Sequence, residues 1–304
     1  GELTPLKPLF EDSQHLREVI RRLVRDAGAE LREDEPILEV GLTVEDRLVS
    51  VNLVTPPVTI QLSADIRVHP KTLPTLDELI ESKFLIPKAA EFLRALTESP
   101  HGFVIVGDTE SGKTTLLSVI AQILPNPEGI ISVERAGELR LPKAATRLVT
   151  RWPVGDKSGV SFGEQIQAAL EKNPACILLD EVRADEPQHI APLLQGDTSL
   201  RQIWTFRGPV DPNKLRSALG MVARRAEAGQ GEALVHALYR RLPFVITVKR
   251  AQGRIELRNV AEWQYPEGAE YPDFVMLMEK GWEGVELTGK HPSRNLDLPS
   301  DFWE

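Results

Sequence analysis

The densest chemistry in the chain sits in eight consecutive residues, Gly107, Asp108, Thr109, Glu110, Ser111, Gly112, Lys113 and Thr114. They follow a short apolar run at 103–106 and open a stretch with Leu116, Leu117, Ile120 and Leu124 at helical spacing. Strand, glycine loop and helix in that order form the context of a P-loop. Each residue type has a physical task there. The glycines let backbone N–H groups approach phosphate oxygens, and the N-terminus of the helix adds partial positive charge. Lys113 has the reach for the β- and γ-phosphates, and the Thr114 hydroxyl suits Mg2+. A nucleoside triphosphate, ATP with Mg2+, is the expected ligand, and an ordinary glycine turn is the competing reading. Ser111 lies inside the loop and is no hydrolase nucleophile, because the Gly-x-Ser-x-Gly elbow is missing.

Two further acidic strand ends belong with this loop. Residues 176–181 read Cys-Ile-Leu-Leu-Asp-Glu, an apolar strand closed by Asp180 and Glu181. In a parallel sheet ligands bind at the carboxyl ends of the strands. Asp180 then holds Mg2+ directly or through water, and Glu181 orients or deprotonates the attacking water. The plainer alternative is that these acids end a strand and begin a helix. Residues 130–133 form a second such strand, ended by Glu134, with Glu138 one turn later. Two carboxylates there either position water or solvate a turn, and spacing leaves both open. Cys176 reads as a small core residue.

The elements that must hold these groups follow from periodicity. Asp12 and Ser13 cap a helix whose apolar side is Leu16, Val19, Ile20, Leu23, Val24 and Ala27, and Gly28 ends it. Its other side carries Arg17, Arg21, Arg22 and Arg25, read as a docking face for an acidic partner or as a solvated face. β-Rich stretches at 47–55 and 58–68 are separated by Pro56 and Pro57, which cannot sit in a central ladder. Pro70 and Pro74 mark a linker, and 76–85 and 89–96 are helical with Pro87 as a break. From 103 to 206 short apolar strands alternate with helices, which predicts a mostly parallel sheet covered by helices. A hairpin spans 244–249 and 254–261, turning at Gln252 and Gly253. The last forty residues show no clear period.

Composition bounds the rest. The chain has 304 residues, enough for about two domains. Its 36 Lys+Arg against 45 Asp+Glu give a net charge of −9, which argues against a generic nucleic-acid binder. No apolar run approaches the roughly 20 residues of a membrane span. The single Cys176 excludes an internal disulfide framework and fits a reducing compartment. The six histidines show no metal-ligand spacing.

Taken together these residues resemble the secretion ATPase superfamily, the motor ATPases of type II and type IV secretion and of type IV pili. The resemblance runs from about residue 13 to residue 262. The phrase Thr75-Leu76-Asp77-Glu78-Leu79 is similar to the one that follows the family's linker, and the P-loop extends through Thr115. The family's acidic box, Ile-Glu-Asp-x-x-Glu-Leu, is matched by Val133-Glu134-Arg135-Ala136-Gly137-Glu138-Leu139, with Arg135 where Asp is usual. Its Gly-Glu-x-Arg phrase is matched by Asp180-Glu181-Val182-Arg183. The resemblance implies a RecA-like P-loop domain at 101–265, preceded by helices at 71–100 and a small, truncated α+β domain at 1–70. A C-terminal extension of unclear structure occupies 266–304. It implies a homo-hexameric ring, nucleotide between the two domains, Glu134 as the catalytic glutamate and Glu181 as the Walker B glutamate. Arg47, Arg67, Arg183 and Arg207 become candidate charge stabilisers at the phosphates. The departures are specific: Asp197 and Arg207 stand where the family has its paired histidines, and Glu171 and Ala175 where it has Arg and Asp.

Three functions are compatible with this reading. The first is an ATP-hydrolysing motor powering a secretion or pilus-type machine, docked on an integral membrane platform at the inner face of a membrane. It implies a cytoplasmic protein with no specific nucleic acid as partner. The second is a regulatory or scaffold ring subunit that binds nucleotide but hydrolyses it weakly, suggested by the lost histidines. The third is a nucleic-acid motor, against which the acidic balance argues.

Overall fold

The computed structural model describes residues 4, 7–196, 199–251, 253–281 and 284–303. Asp197, Gln252 and Trp282 lie outside the described residues. The chain divides into two compact units. The first comprises Gly1–Thr72, Glu134–Glu138 and Leu148–Gln165; the second comprises Leu73–Val133, Leu139–Arg147 and Ile166–Glu304.

In the first unit, helix α1 (Ser13–Asp26) starts where Asp12 accepts a hydrogen bond from the His15 N–H at 2.8 Å. It buries Ile20 and Val24 on a three-stranded antiparallel sheet of β1 (Ile37–Val44), β2 (Arg47–Val54) and β3 (Ser63–Val68). Strand β1 was not expected, although Leu38 and Val40 alternate inward beside Val49, Val51 and Leu53. The hairpin between β1 and β2 turns at Glu45 and Asp46, both with positive φ, as a two-residue turn requires. The strand expected from residue 58 begins only at Ser63, because Pro56 and Pro57 offer no ladder donors and the chain turns after them. Trp152 packs on this core and donates its indole N–H to the Glu39 carbonyl at 2.7 Å.

The second unit opens with α2 (Leu76–Glu81), started by a full capping box of Thr75 and Glu78. It is shorter than expected, and Phe84 and Leu85 leave the helix to become core residues. Pro87 does not break a helix but starts α3 (Pro87–Glu98), where its missing N–H costs nothing. There follow β4 (Phe103–Gly107), α4 (Lys113–Ile123), β5 (Ile130–Glu134), β6 (Thr146–Val149), α5 (Phe162–Leu170), β7 (Cys176–Val182), α6 (Ala191–Gln195) and β8 (Arg201–Arg207). After them come α7 (Pro212–Ala226), α8 (Gly231–Arg241), β9 (Phe244–Ala251), β10 (Arg254–Gln264), β11 (Asp273–Lys280) and β12 (Val285–Leu287).

The nine strands run in the order β12-β11-β10-β9-β4-β8-β7-β5-β6. Strand β4 pairs in parallel with β8 and β9, and β7 in parallel with β8, while β9 to β12 form an antiparallel meander. This is the expected α/β architecture, with β4 as a fully buried central strand. Arg201, opening β8, ties the sheet to α3: its guanidinium donates to the carbonyls of Leu96, Thr97 and His101 at 2.7, 2.7 and 3.1 Å, the first two being among the helix's last acceptors.

Residues expected to lack clear structure at the C-terminal end extend this sheet as β11 and β12. Phe302 is buried, and Lys88 donates to its carbonyl at 2.6 Å. Glu262, fully buried at the end of the hairpin, anchors the same segment: its carboxylate accepts from Ser293 N and Oγ and from Arg294 at 2.7, 2.8 and 2.9 Å. Residues 134–138 and 148–165 group with the first unit.

Cys176, at the start of β7, has its thiol pushed up to about 12 by burial. It is therefore expected to resist iodoacetamide at pH 8 in the native protein and to react at the rate of unfolding. Alkylation at the rate of a free thiol, with the protein folded by circular dichroism, would contradict this placement.

Candidate functional site

The loop after β4 is shaped by sterics. A Cβ on Gly107 would fall on the Ser111 hydroxyl and the Val248 carbonyl, so only glycine lets the loop turn back over the strand end. Gly112 caps α4 with φ +91°, a left-handed conformation that costs glycine little. Between them Asp108, Thr109 and Glu110 are exposed, whereas Ser111 is buried with its hydroxyl unpartnered among the described residues. A buried polar atom without a partner, beside the N-terminus of an eleven-residue helix, is the arrangement an anion completes.

Lys113 is buried, with its ammonium donating to the Asp108 carbonyl at 2.8 Å. Burial lowers its pKa; Glu181 and Asp180 oppose that shift, and the positive charge of Arg207 adds to it. Glu181 Oε2 stands 3.8 Å from the Lys113 nitrogen. The Thr114 hydroxyl donates to Asp180 Oδ1 at 3.2 Å, and the Thr205 hydroxyl donates to the same oxygen at 3.1 Å. Thr115 follows on α4, half-buried.

In a regular strand neighbours point to opposite faces, so Asp180 and Glu181 should diverge. The pairing of β7 with β8 shifts register between Leu179 and Val182, and this irregularity lets both carboxylates reach the start of α4. Arg183 donates to Glu181 Oε1 at 3.3 Å, so it acts on that carboxylate. Arg207, the exposed last residue of β8, is paired in register with Gly107. It stands two residues from Thr205 and therefore on the same face as the Asp180 contact.

The structure thus brings Lys113, Thr114, Asp180, Glu181, Arg183 and Arg207 together. The remaining expected site residues belong to the first unit. Glu134 closes β5 with a fully buried side chain, and its carbonyl accepts from Thr150 N at 2.9 Å. Glu138 lies 3.8 Å from His69 Nε2, which is 2.9 Å from the Ser50 hydroxyl. Arg47 opens β2 and is exposed; Arg67 sits on β3, 3.9 Å from Asp65.

Sequence reasoning missed two contributors. Thr205 was detectable, because it precedes Arg207 by two on a strand ending at the loop. Arg250 was not: it donates to the Glu110 carbonyl at 3.1 Å across 140 residues of chain, and no local pattern marks it.

A buried strand, a glycine loop over a helix N-terminus and an acid-ended strand two places away in the same sheet define an α/β protein with a mostly parallel sheet. The model of the type II/IV secretion system protein family matches residues 10–203, and this chain belongs to that family. A Mycobacterium tuberculosis protein named for conjugal transfer is 27% identical over 270 residues, covering 83% of this chain and 77% of its own length. The type IV secretion system protein VirB11 of Brucella suis is 24% identical over 263 residues, 77% of this chain and 71% of its own. Among solved structures, the Legionella pneumophila ATPase DotB is similar in fold, with a TM-score of 0.53 and 16% identity over 84% of this chain and 70% of that one. These relatives and the family model agree with the resemblance read from the sequence, to the secretion ATPase superfamily. No helix among the described residues is long and apolar enough to cross a membrane.

Proposed function

We propose that this chain hydrolyses ATP with Mg2+ at the loop after β4 and works as the motor subunit of a secretion or pilus-type machine. The observation that carries the reading is the Thr114–Asp180 contact, a hydroxyl and a carboxylate 3.2 Å apart beside a buried lysine. Those are hard oxygen donors of the kind Mg2+ accepts, and the ion keeps its other positions for water and phosphate oxygens. The unpartnered Ser111 hydroxyl and the side-chain-free Gly107 support a phosphate in the loop. When bound, Mg2+ neutralises charge on the transferring phosphoryl group.

The chain's own groups supply the rest. Backbone N–H groups from 108 to 114 and the Lys113 ammonium hold the phosphates. Thr205 keeps Asp180 turned toward Thr114. Glu181, steadied by Arg183, orients the water. Glu134 is the further candidate for that role, on the strength of the family's acidic box, and Arg47 and Arg67 remain candidate charge stabilisers on the same footing. Assembly as a homo-hexamer on an integral membrane platform, at the cytoplasmic face of the membrane, is the setting the family membership supports.

Arg207 favours hydrolysis over a merely scaffolding role. It stands beside Gly107, faces the Asp180 side of the strand, and carries a permanent charge that pairs with phosphate oxygens. Steady-state phosphate release from MgATP by the purified protein tests the reading, and turnover above a Lys113→Ala control is the expected result. Arg207→Gln is expected to lower kcat by about 10²-fold with KM little changed, as for loss of a group acting mainly on the transition state. A change in KM alone would reduce Arg207 to a binding group. Tight MgATP binding with no turnover would replace the motor by the regulatory ring subunit.

A further inference from the structure

Strand β9 outruns its parallel partner. It pairs with β4 as far as Thr247, opposite Val106, and then continues through Ala251. At about 3.3 Å per residue, those last four residues reach roughly 13 Å beyond the pairing. Strand β10 stiffens them, with Leu257 opposite Val248, Glu256 opposite Lys249 and Ile255 opposite Arg250. This overhang meets the loop after β4 at three points. The Val248 carbonyl would stand 2.4 Å from a Cβ on Gly107. Arg250 Nε donates to the Glu110 carbonyl at 3.1 Å, and its Nη1 lies 3.8 Å from Glu110 Oε2. Ile255, directly opposite Arg250 and so on the same side of the hairpin, packs on Gly112. A Cβ on Gly112 would stand 2.7 Å from Ile255 Cγ2 and 3.4 Å from Phe84 Cζ. Phe84 is itself tied to the hairpin, its carbonyl accepting from Leu257 N at 2.9 Å.

Arg250 and Ile255 grip the two left-handed residues of the loop, Glu110 at φ +59° and Gly112 at φ +91°. Glycine enters that region freely, whereas the Cβ of a glutamate crowds its own backbone there. The Glu110 carbonyl and the Ser111 N–H belong to one planar peptide, so fixing the first fixes the direction of the second. Ser111 N–H closes a turn onto the Asp108 carbonyl at 3.3 Å, a long bond that holds the turn only weakly. The bond from Arg250 supplies what this local turn lacks.

We infer that Arg250 is a positioning residue for the phosphate loop. From the β9–β10 hairpin it holds the 110–111 peptide by its carbonyl and keeps the loop in its phosphate-binding shape before any nucleotide arrives. It acts through the main chain of Glu110 and not through its own charge on the ligand. The inference rests on the reading of this loop as a nucleotide site, and it does not depend on hydrolysis. A loop already shaped binds with its intrinsic affinity, whereas a loop shaped only part of the time binds more weakly in proportion.

The test is the affinity of the full chain for MgADP, measured by titration calorimetry. Arg250→Ala is expected to weaken binding roughly 10-fold, with the urea midpoint unchanged because the arginine side chain is 39% exposed. Arg250→Lys keeps a donor for the same carbonyl and should stay within about threefold of wild type. Residue 110 reveals how the arginine acts. Asparagine accepts the left-handed region more readily than glutamate does, and glutamine shows no such preference. In the Glu110→Asn background Arg250→Ala should therefore cost less than about threefold. In the Glu110→Gln background the full loss should persist, because the bond is to the main chain. Equal affinity of wild type and Arg250→Ala overturns the inference and leaves the nucleotide site standing. A loss that vanishes with Glu110→Gln also overturns it, in favour of the side-chain ion pair. A loss undiminished with Glu110→Asn overturns it in favour of direct contact with the nucleotide. A folded wild-type protein that binds no MgADP, like Lys113→Ala, removes the nucleotide reading of the loop and this inference with it.

Discussion

Lys113→Ala is expected to bring ATP turnover down to background, roughly 10³-fold or more, while leaving the protein as stable as wild type or more so. The two halves of this expectation share one cause. The lysine is buried beside the loop, and burial disfavours its charged form enough to lower its pKa. In the nucleotide-free protein that charge is partly offset by the Asp108 carbonyl and by Glu181. Phosphate oxygens are its full complement. Alanine deletes both the desolvated charge and the phosphate contact.

A folded-state pKa below the unfolded one means the unfolded chain holds the proton more tightly. Wild-type stability should therefore rise with pH between the lowered folded value and the ordinary lysine value of 10.5, and this increment should be missing in the variant. Phosphate release and urea midpoints at pH 8 and pH 10 measure both. Unchanged hydrolysis by folded Lys113→Ala would remove the site from this loop.

Glu262→Ala is expected to lower unfolding free energy by roughly 3–5 kcal/mol, the largest single-residue effect on stability anticipated outside the apolar core. The carboxylate is fully buried and accepts from Ser293 and Arg294, and it also takes a bond from Gln264 at 2.7 Å. Its removal leaves Arg294 with the Trp263 carbonyl, at 3.0 Å, as its one hydrogen-bond partner among the described residues, and opens a polar hole under the C-terminal segment. Urea denaturation measures the loss, and a change under about 1 kcal/mol would show that water replaces the carboxylate adequately.

What could be read in advance follows from where the information lies. The P-loop, β4 and the start of α4 were legible because glycine spacing, apolar strand and apolar helix face agree over twenty contiguous residues. The acid-ended β7 was legible for the same reason. Helices α7 and α8 were passed over, although Asp211 and Pro212 stand as N-cap and first helical residue, with the Asp211 carboxylate accepting from Lys214 N at 2.9 Å. Strand β11 lacked alternation because its middle, Phe274 to Met278, is a continuous apolar run. The convergence of Asp180 and Glu181 was beyond reach, since strand periodicity predicts the opposite and the register shift against β8 leaves no local mark in the sequence. Arg250 over the loop is a purely tertiary contact.

The first unit is not contiguous in the chain: it takes up Glu134–Glu138 and Leu148–Gln165, including Trp152 against the Glu39 carbonyl. On a ribosome, the sheet and helix made by residue 72 must wait for those later segments, at about 5–20 residues per second a delay on the order of ten seconds. Throughout that interval the side of the sheet that receives Trp152 has no indole on it. The protein is synthesised from its N-terminus but cannot be finished in that order.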